Sequence, residues 1–234
     1  MRKVLVGMFA VLVIAARANA GPIVISNIVG GWQTATPAVN ATITNAAAQA
    51  MDIVRWGQTG NPNTDSRYDF DPTDNPVGFT LGNPFALGVF THHNQPIPTG
   101  SAITSIDYSF GFDTNGVPGS LSDVFNFNHN ETPNNCNCSP GDDDIVTISS
   151  VNLNSLITVG SDQYFFNLLG FSANGGATIS SVFSSPEGGN NSVTLYGVLT
   201  DRPINSPVPE PASMFLMATG VGYLAARRRR KGSL

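Results

Sequence analysis

The chain has 234 residues and a net charge of −5, with only 12% charged residues against 24 glycines and 16 prolines. That balance, with abundant Asn, Thr and Ser, argues against a helix-rich enzyme and for a loop-rich all-β protein. Of the eleven cations only Arg55, Arg67 and Arg202 fall between residues 21 and 205. The body is therefore strongly acidic, and without a basic patch to neutralise phosphates it has no nucleic acid as partner.

The N-terminus reads as an export signal. Arg2 and Lys3 form a positive start, Val4 to Ala16 is apolar, and Ala18-Asn19-Ala20 is a small-x-small cleavage site before Gly21. Residues 1–20 are thus expected to be a signal helix that is removed. Residues 21–205 suit one exported domain, since all-β sandwiches commonly reach this size.

Within that body, Ile23 to Gly31 reads as a first strand, closed by a Gly-Gly turn before Trp32. Thr34 to Ala50 is open between a short helix and a loop. Met51 to Gly57 resembles a strand. Asn61 to Asn75, with Asp65, Asp69, Asp71 and Asp74, reads as a polar loop. Val77 to Leu81 and Phe85 to Thr91 flank a Gly-Asn-Pro turn and are expected to pair as a hairpin. Ile103 to Phe112 shows the cleanest alternation, with Ile106, Tyr108, Phe110 and Phe112 on one side against Ser105, Asp107 and Ser109.

Asp113 to Ser120 reads as a turn-rich loop. Leu121 to His129 alternates again, with Leu121, Val124 or Phe125, and Phe127 turned inward. Asn130 to Asp144 is a long polar loop containing Cys136 and Cys138. Short strands follow at Ile145 to Ile148, Ser155 to Val159, Gln163 to Phe171, Ala177 to Phe183 and Val193 to Leu199. About ten short strands broken by turn residues predict a single all-β domain, a β-sandwich of jelly-roll type.

Candidate chemistry is sparse. Thr91-His92-His93-Asn94 lies at a strand end before Gln95-Pro96. Its hydroxyl, imidazole and amide groups suit tying down a turn by bonding neighbouring backbone. A second reading joins His92 or His93 to His129 and a carboxylate such as Glu131 as a metal or binding site. A third makes a histidine a general base, but no nucleophile motif accompanies it. No catalytic residue, metal or cofactor is assigned. Cys136-x-Cys138 is too close in sequence to close a useful loop.

The oxygen-rich stretches Asp69-x-Asp71-x-x-Asp74, Asp113-Thr114-Asn115-Gly116 and Asp142-Asp143-Asp144 each fall short of a full calcium-loop spacing. An alternative function is a carbohydrate-binding module, possibly calcium-dependent, with Trp32, Trp56, Tyr68 and Phe70 as stacking candidates. A hydrolase using Asp107 and Glu131 as paired carboxylates is weighed beside it.

The C-terminus, residues 206–234, is the most specific stretch. Ser206-Pro207-Val208-Pro209-Glu210-Pro211 stays extended, because proline cannot continue a helix. Ala212 to Ala226 is uncharged and expected to form a transmembrane helix, and Arg227, Arg228, Arg229, Arg230 and Lys231 follow. Such a cationic block resists crossing a bilayer and binds anionic lipid on the cytoplasmic side. Fifteen residues of helix span about 22 Å, short of the roughly 30 Å hydrocarbon core. Snorkelling and local thinning can close that gap. A marginal span after an accessible Pro209-Glu210-Pro211 hinge suits a segment held briefly and then cut.

This arrangement resembles the PEP-CTERM protein-sorting signal. The resemblance implies an exosortase as transient partner, membrane attachment through the tail before cleavage, and a Gram-negative host. The destination it implies is the cell surface or an exopolysaccharide matrix. The setting of Thr91, His92 and Asn94, with Asn128-His129-Asn130-Glu131-Thr132-Pro133-Asn134, further resembles the THxN family of PEP-CTERM proteins. That resemblance implies a sorting route and a domain type, not a reaction. The expected function is a non-enzymatic, exosortase-sorted exported protein.

Overall fold

A computed structural model describes residues 23–46, 50–73, 79–133, 143–151 and 153–204. The expected signal helix, the sorting tail with Pro209, Glu210, Pro211 and Arg227 to Arg230, and both cysteines lie outside them. The chain divides into two units, Met1–Asp201 and Arg202–Leu234, and every described strand belongs to the first.

Among the described residues that unit has twelve strands: β1 (Ile25–Thr36), β2 (Ala41–Thr44), β3 (Asp52–Trp56), β4 (Ser66–Pro72), β5 (Phe85–Asn94), β6 (Ser105–Thr114), β7 (Val117–Asn130), β8 (Asp144–Ile148), β9 (Ser155–Val159), β10 (Asp162–Ser172), β11 (Val182–Ser185) and β12 (Gly189–Thr200). They form two antiparallel sheets, ordered β1-β6-β7-β8-β11 and β2-β3-β4-β5-β12-β10-β9. The all-β, sandwich-like expectation holds. The jelly-roll connectivity does not: β2 to β5 and β6 to β8 run as consecutive meanders instead of interleaved Greek keys.

One apolar core takes side chains from both sheets. Trp32 sits within it, its ring 4.7 Å from Tyr108, 5.6 Å from Phe127 and 5.8 Å from Tyr68 between centroids. The alternation on β6 falls as expected, with Ile106, Tyr108, Phe110 and Phe112 buried and the residues between them half-exposed. On β7 the inward residue is Phe125, while Val124 is exposed.

Four expectations need correction. β1 does not stop at Gly30-Gly31 but continues through Trp32 to Thr36, paired with β6. The glycine serves the core here: a Cβ on Gly30 would overlap the Tyr108 ring. Residues 66–72 are not a loop but β4, a strand between β3 and β5. β5 pairs with β4 and β12, not with residues 79–84, so the expected hairpin there is absent from the described residues. Lastly, β11 begins only at Val182, later than the expected Ala177. The turn-rich loop at Asp113 to Ser120 narrows to a two-residue hairpin, Asn115-Gly116, both with positive φ (49° and 75°), which joins β6 to β7.

Candidate functional site

Residues 91–94 form the end of β5, inside the seven-stranded sheet. Side chains on a strand alternate between faces, so this tetrapeptide splits into two pairs. Thr91 and His93 face outward. Thr91 Oγ1 meets Ser192 Oγ at 2.8 Å on β12. His93 Nε2 lies 2.6 Å from Asp69 Oδ2 and its Nδ1 lies 2.7 Å from Asn190 Oδ1. Arg67 closes this group at 3.1 Å from the same Asp69 oxygen.

His92 and Asn94 face inward and are fully buried. Asn94 Nδ2 donates to the carbonyl oxygen of Ser185 at 2.9 Å. Ser185 ends β11 in the other sheet, at the corner where the chain crosses to β12. The motif does tie backbone down, but the backbone is remote in sequence, not the neighbouring turn.

His92 is held by rings. Trp56 stacks on it at 5.6 Å and 24°, Tyr68 meets it edge-on at 4.9 Å, and His129 stands at 5.4 Å and 89°. Pairing places Tyr68 directly opposite His92 on β4. Neither ring nitrogen of His92 has a hydrogen-bond partner. Trp56 Nε1 is likewise unpartnered.

His129 comes from β7 in the facing sheet. The Tyr68 hydroxyl lies 2.5 Å from His129 Nδ1. The other ring nitrogen, Nε2, is 3.1 Å from Glu131 Oε2 and 3.8 Å from Asp144 Oδ2. Asp144 opens β8 and is fully buried. Its Oδ1 accepts from the Thr132 N–H at 2.8 Å, and its Oδ2 has no partner. One nitrogen each of His92 and His129 and one oxygen of Asp144 all lie within 4.8 Å of one another.

Burial dominates the electrostatics of this group. It holds the His92 imidazole well below its usual range, and His129 and His93 add to the effect. Burial pushes His129 down to about 4, against the opposing pull of Asp144. It lifts Glu131 to about 7. Asp144 rises to about 6 by burial, with Glu131 adding and the Thr132 bonds opposing. Two neutral imidazoles and the Asp144 carboxyl thus converge in the interior, with Glu131 half-buried at their edge. Such a set can hold a cation or a buried polar network.

The structure brings His92 against His129, and His129 against Glu131 and Asp144, and sends His93 to the opposite face. Asp144 was legible only as one of three adjacent aspartates in a polar loop; pairing of β7 with β8 brings it beneath His129. Asp107 and Glu131 have separate partners. Asp107 lies on the outward side of β6 against Asn126 Nδ2, whereas Glu131 meets His129. The four aromatics considered for glycan stacking, Trp32, Trp56, Tyr68 and Phe70, are all in the core.

Asp74 and Asp142 of the oxygen-rich stretches lie outside the described residues, and several of the described aspartates are otherwise engaged. Asp69 is buried beside Arg67 and His93. Asp113 accepts from the Gly119 N–H at 2.7 Å and from Asn27 Nδ2, bracing the β6–β7 hairpin. Asp143 accepts from the Ser184 hydroxyl. Two surface clefts, of about 390 and 200 Å³, are lined around Gly30 and Asp113 and around Ser172 and Thr194, and neither is lined by residues 91–94.

Residues 207–230 match the PEP-CTERM protein-sorting motif. That match implies recognition by an exosortase, export, and sorting to the cell surface. No curated protein matches the chain.

Proposed function

We propose that this protein is a THxN-type PEP-CTERM protein whose β-domain acts at the surface or in the exopolysaccharide matrix of a Gram-negative bacterium, without catalysis. The sorting motif at residues 207–230 carries the reading. Export begins with residues 1–20. The apolar segment and its arginine block then hold the C-terminus in the inner membrane while the β-domain stands outside. An exosortase cuts near Pro209-Glu210-Pro211 and frees the domain.

Absence of catalysis is supported by where the reactive groups lie. His92, His129 and Asp144 are sealed between the sheets, away from both clefts described above. Replacing Pro209, Glu210 and Pro211 by alanine in the exporting cell tests the sorting step. The expected result is an uncut chain retained in the membrane fraction; normal processing and delivery to the surface would overturn it.

A further inference from the structure

His92 is a fully buried imidazole with two nitrogens and no hydrogen bond to either. Beside it, Asp144 is a fully buried carboxylate with an unpartnered oxygen. Leaving a buried polar group without a partner is costly, and more so when it is charged. A sandwich core with many aromatic rings could have replaced these groups with apolar ones. Instead one nitrogen each of His92 and His129 and one oxygen of Asp144 lie within 4.8 Å of one another, and Asp144 Oδ2 faces His129 Nε2 at 3.8 Å.

We propose that His92, His129 and Asp144 bind one divalent transition-metal ion of the zinc class, with Glu131, half-buried beside His129, swinging in as fourth ligand. The ion would join β5 of one sheet to β7 and β8 of the other, as a structural centre. Mixed imidazole and carboxylate donors suit zinc and its neighbours, whereas calcium and magnesium take oxygen alone. His129 Nε2 is already 3.1 Å from Glu131 Oε2 and 3.8 Å from Asp144 Oδ2. Bonds of about 2.0–2.1 Å from a central ion span up to about 4.2 Å between donors, so the group of His92, His129 and Asp144, within 4.8 Å, closes slightly on binding.

The charges balance as well. Two carboxylates and two neutral imidazoles around a dication leave no net buried charge, which a water molecule could not achieve. Tyr68 takes the outer role. Its hydroxyl at His129 Nδ1 fixes the ring so that Nε2 points at the carboxylates. The rings of Trp56 and Tyr68 pin His92 in place. His92, His129 and Asp144 are all buried, unlike the open position that catalytic zinc keeps, so the centre serves the fold.

The full chain, purified in detergent with its tail and stripped by a chelator, is titrated with Zn²⁺ and with Co²⁺. The expected result is one ion per chain, a higher Tm on loading, and tetrahedral cobalt bands without thiolate charge transfer. Asp144→Asn keeps an acceptor for Thr132 and should lose the ion. Tyr68→Phe should weaken binding by about 10–100-fold. A Cys136→Ser, Cys138→Ser double variant should keep the ion, which separates this site from the thiols. The proposal is overturned if the wild type takes up neither metal, as a site holding only water would behave. Retention of the ion by Asp144→Asn, or its loss from the cysteine variant, overturns it equally.

Discussion

Asn94 Nδ2 donates to the carbonyl of Ser185 at 2.9 Å, tying the end of β5 to the end of β11 across the two sheets. Asn191 grips the same corner, donating to Ser185 Oγ and to the Pro186 carbonyl. The bond is fully buried, so its loss strands a carbonyl away from water. Asn94→Ala is expected to cost about 1–3 kcal/mol. Denaturant unfolding of the variant checks this, and an unchanged midpoint would remove the structural role given to the motif's asparagine.

Asp52 supplies a second link between the sheets. The Tyr108 hydroxyl donates to its Oδ2 at 2.7 Å, the Ala46 N–H donates to Oδ1, and Trp32 Nε1 donates to its carbonyl. Burial raises the Asp52 carboxyl above its usual range, with the Tyr108 and Ala46 bonds opposing. A raised folded value means the stabilising contribution is present below about 3.9 and is lost as pH rises through the raised value. The wild type should therefore lose Tm relative to Asp52→Asn as pH is taken upward from about 4. Paired thermal melts across that window test it; a constant difference between the two proteins would refute the assignment.

Gly30 lies where a side chain would enter the Tyr108 ring. Gly30→Ala must displace that ring and, with it, the Tyr108–Asp52 bond. Overpacking of this kind costs about 1–3 kcal/mol. The paired variant Gly30→Ala, Tyr108→Phe should be less destabilised than the sum of its parts, because the two changes damage one contact. Additivity in a double-mutant cycle would count against the coupling.

The only tryptophans, Trp32 and Trp56, are both in the core. Their fluorescence should resist quenching by iodide and should not respond to soluble glycans. Ready quenching of either would contradict its burial.

Several features could be read without coordinates because they rest on local rules. Alternation on β6 follows from the two-residue period of a strand, and it marked Tyr108 and Phe110 as core correctly. The tail is a linear signal, so order along the chain suffices to recognise it. By contrast, β4 is polar at Ser66, Arg67, Asp69 and Asp71, and polarity alone reads as loop. It is a strand because Asp69 is met by Arg67 and by His93 from β5, a pairing invisible in one dimension.

Sequence alone therefore determined the export route, the all-β class and the candidate motif at Thr91, His92 and Asn94. Only tertiary structure decided that His92 turns inward while His93 turns outward, since that depends on which face of β5 meets the other sheet. It also decided that His129 and Asp144, fifteen residues apart, share one buried point with His92. Antiparallel pairing of β7 with β8 folds that interval back on itself and brings these side chains together in the interior.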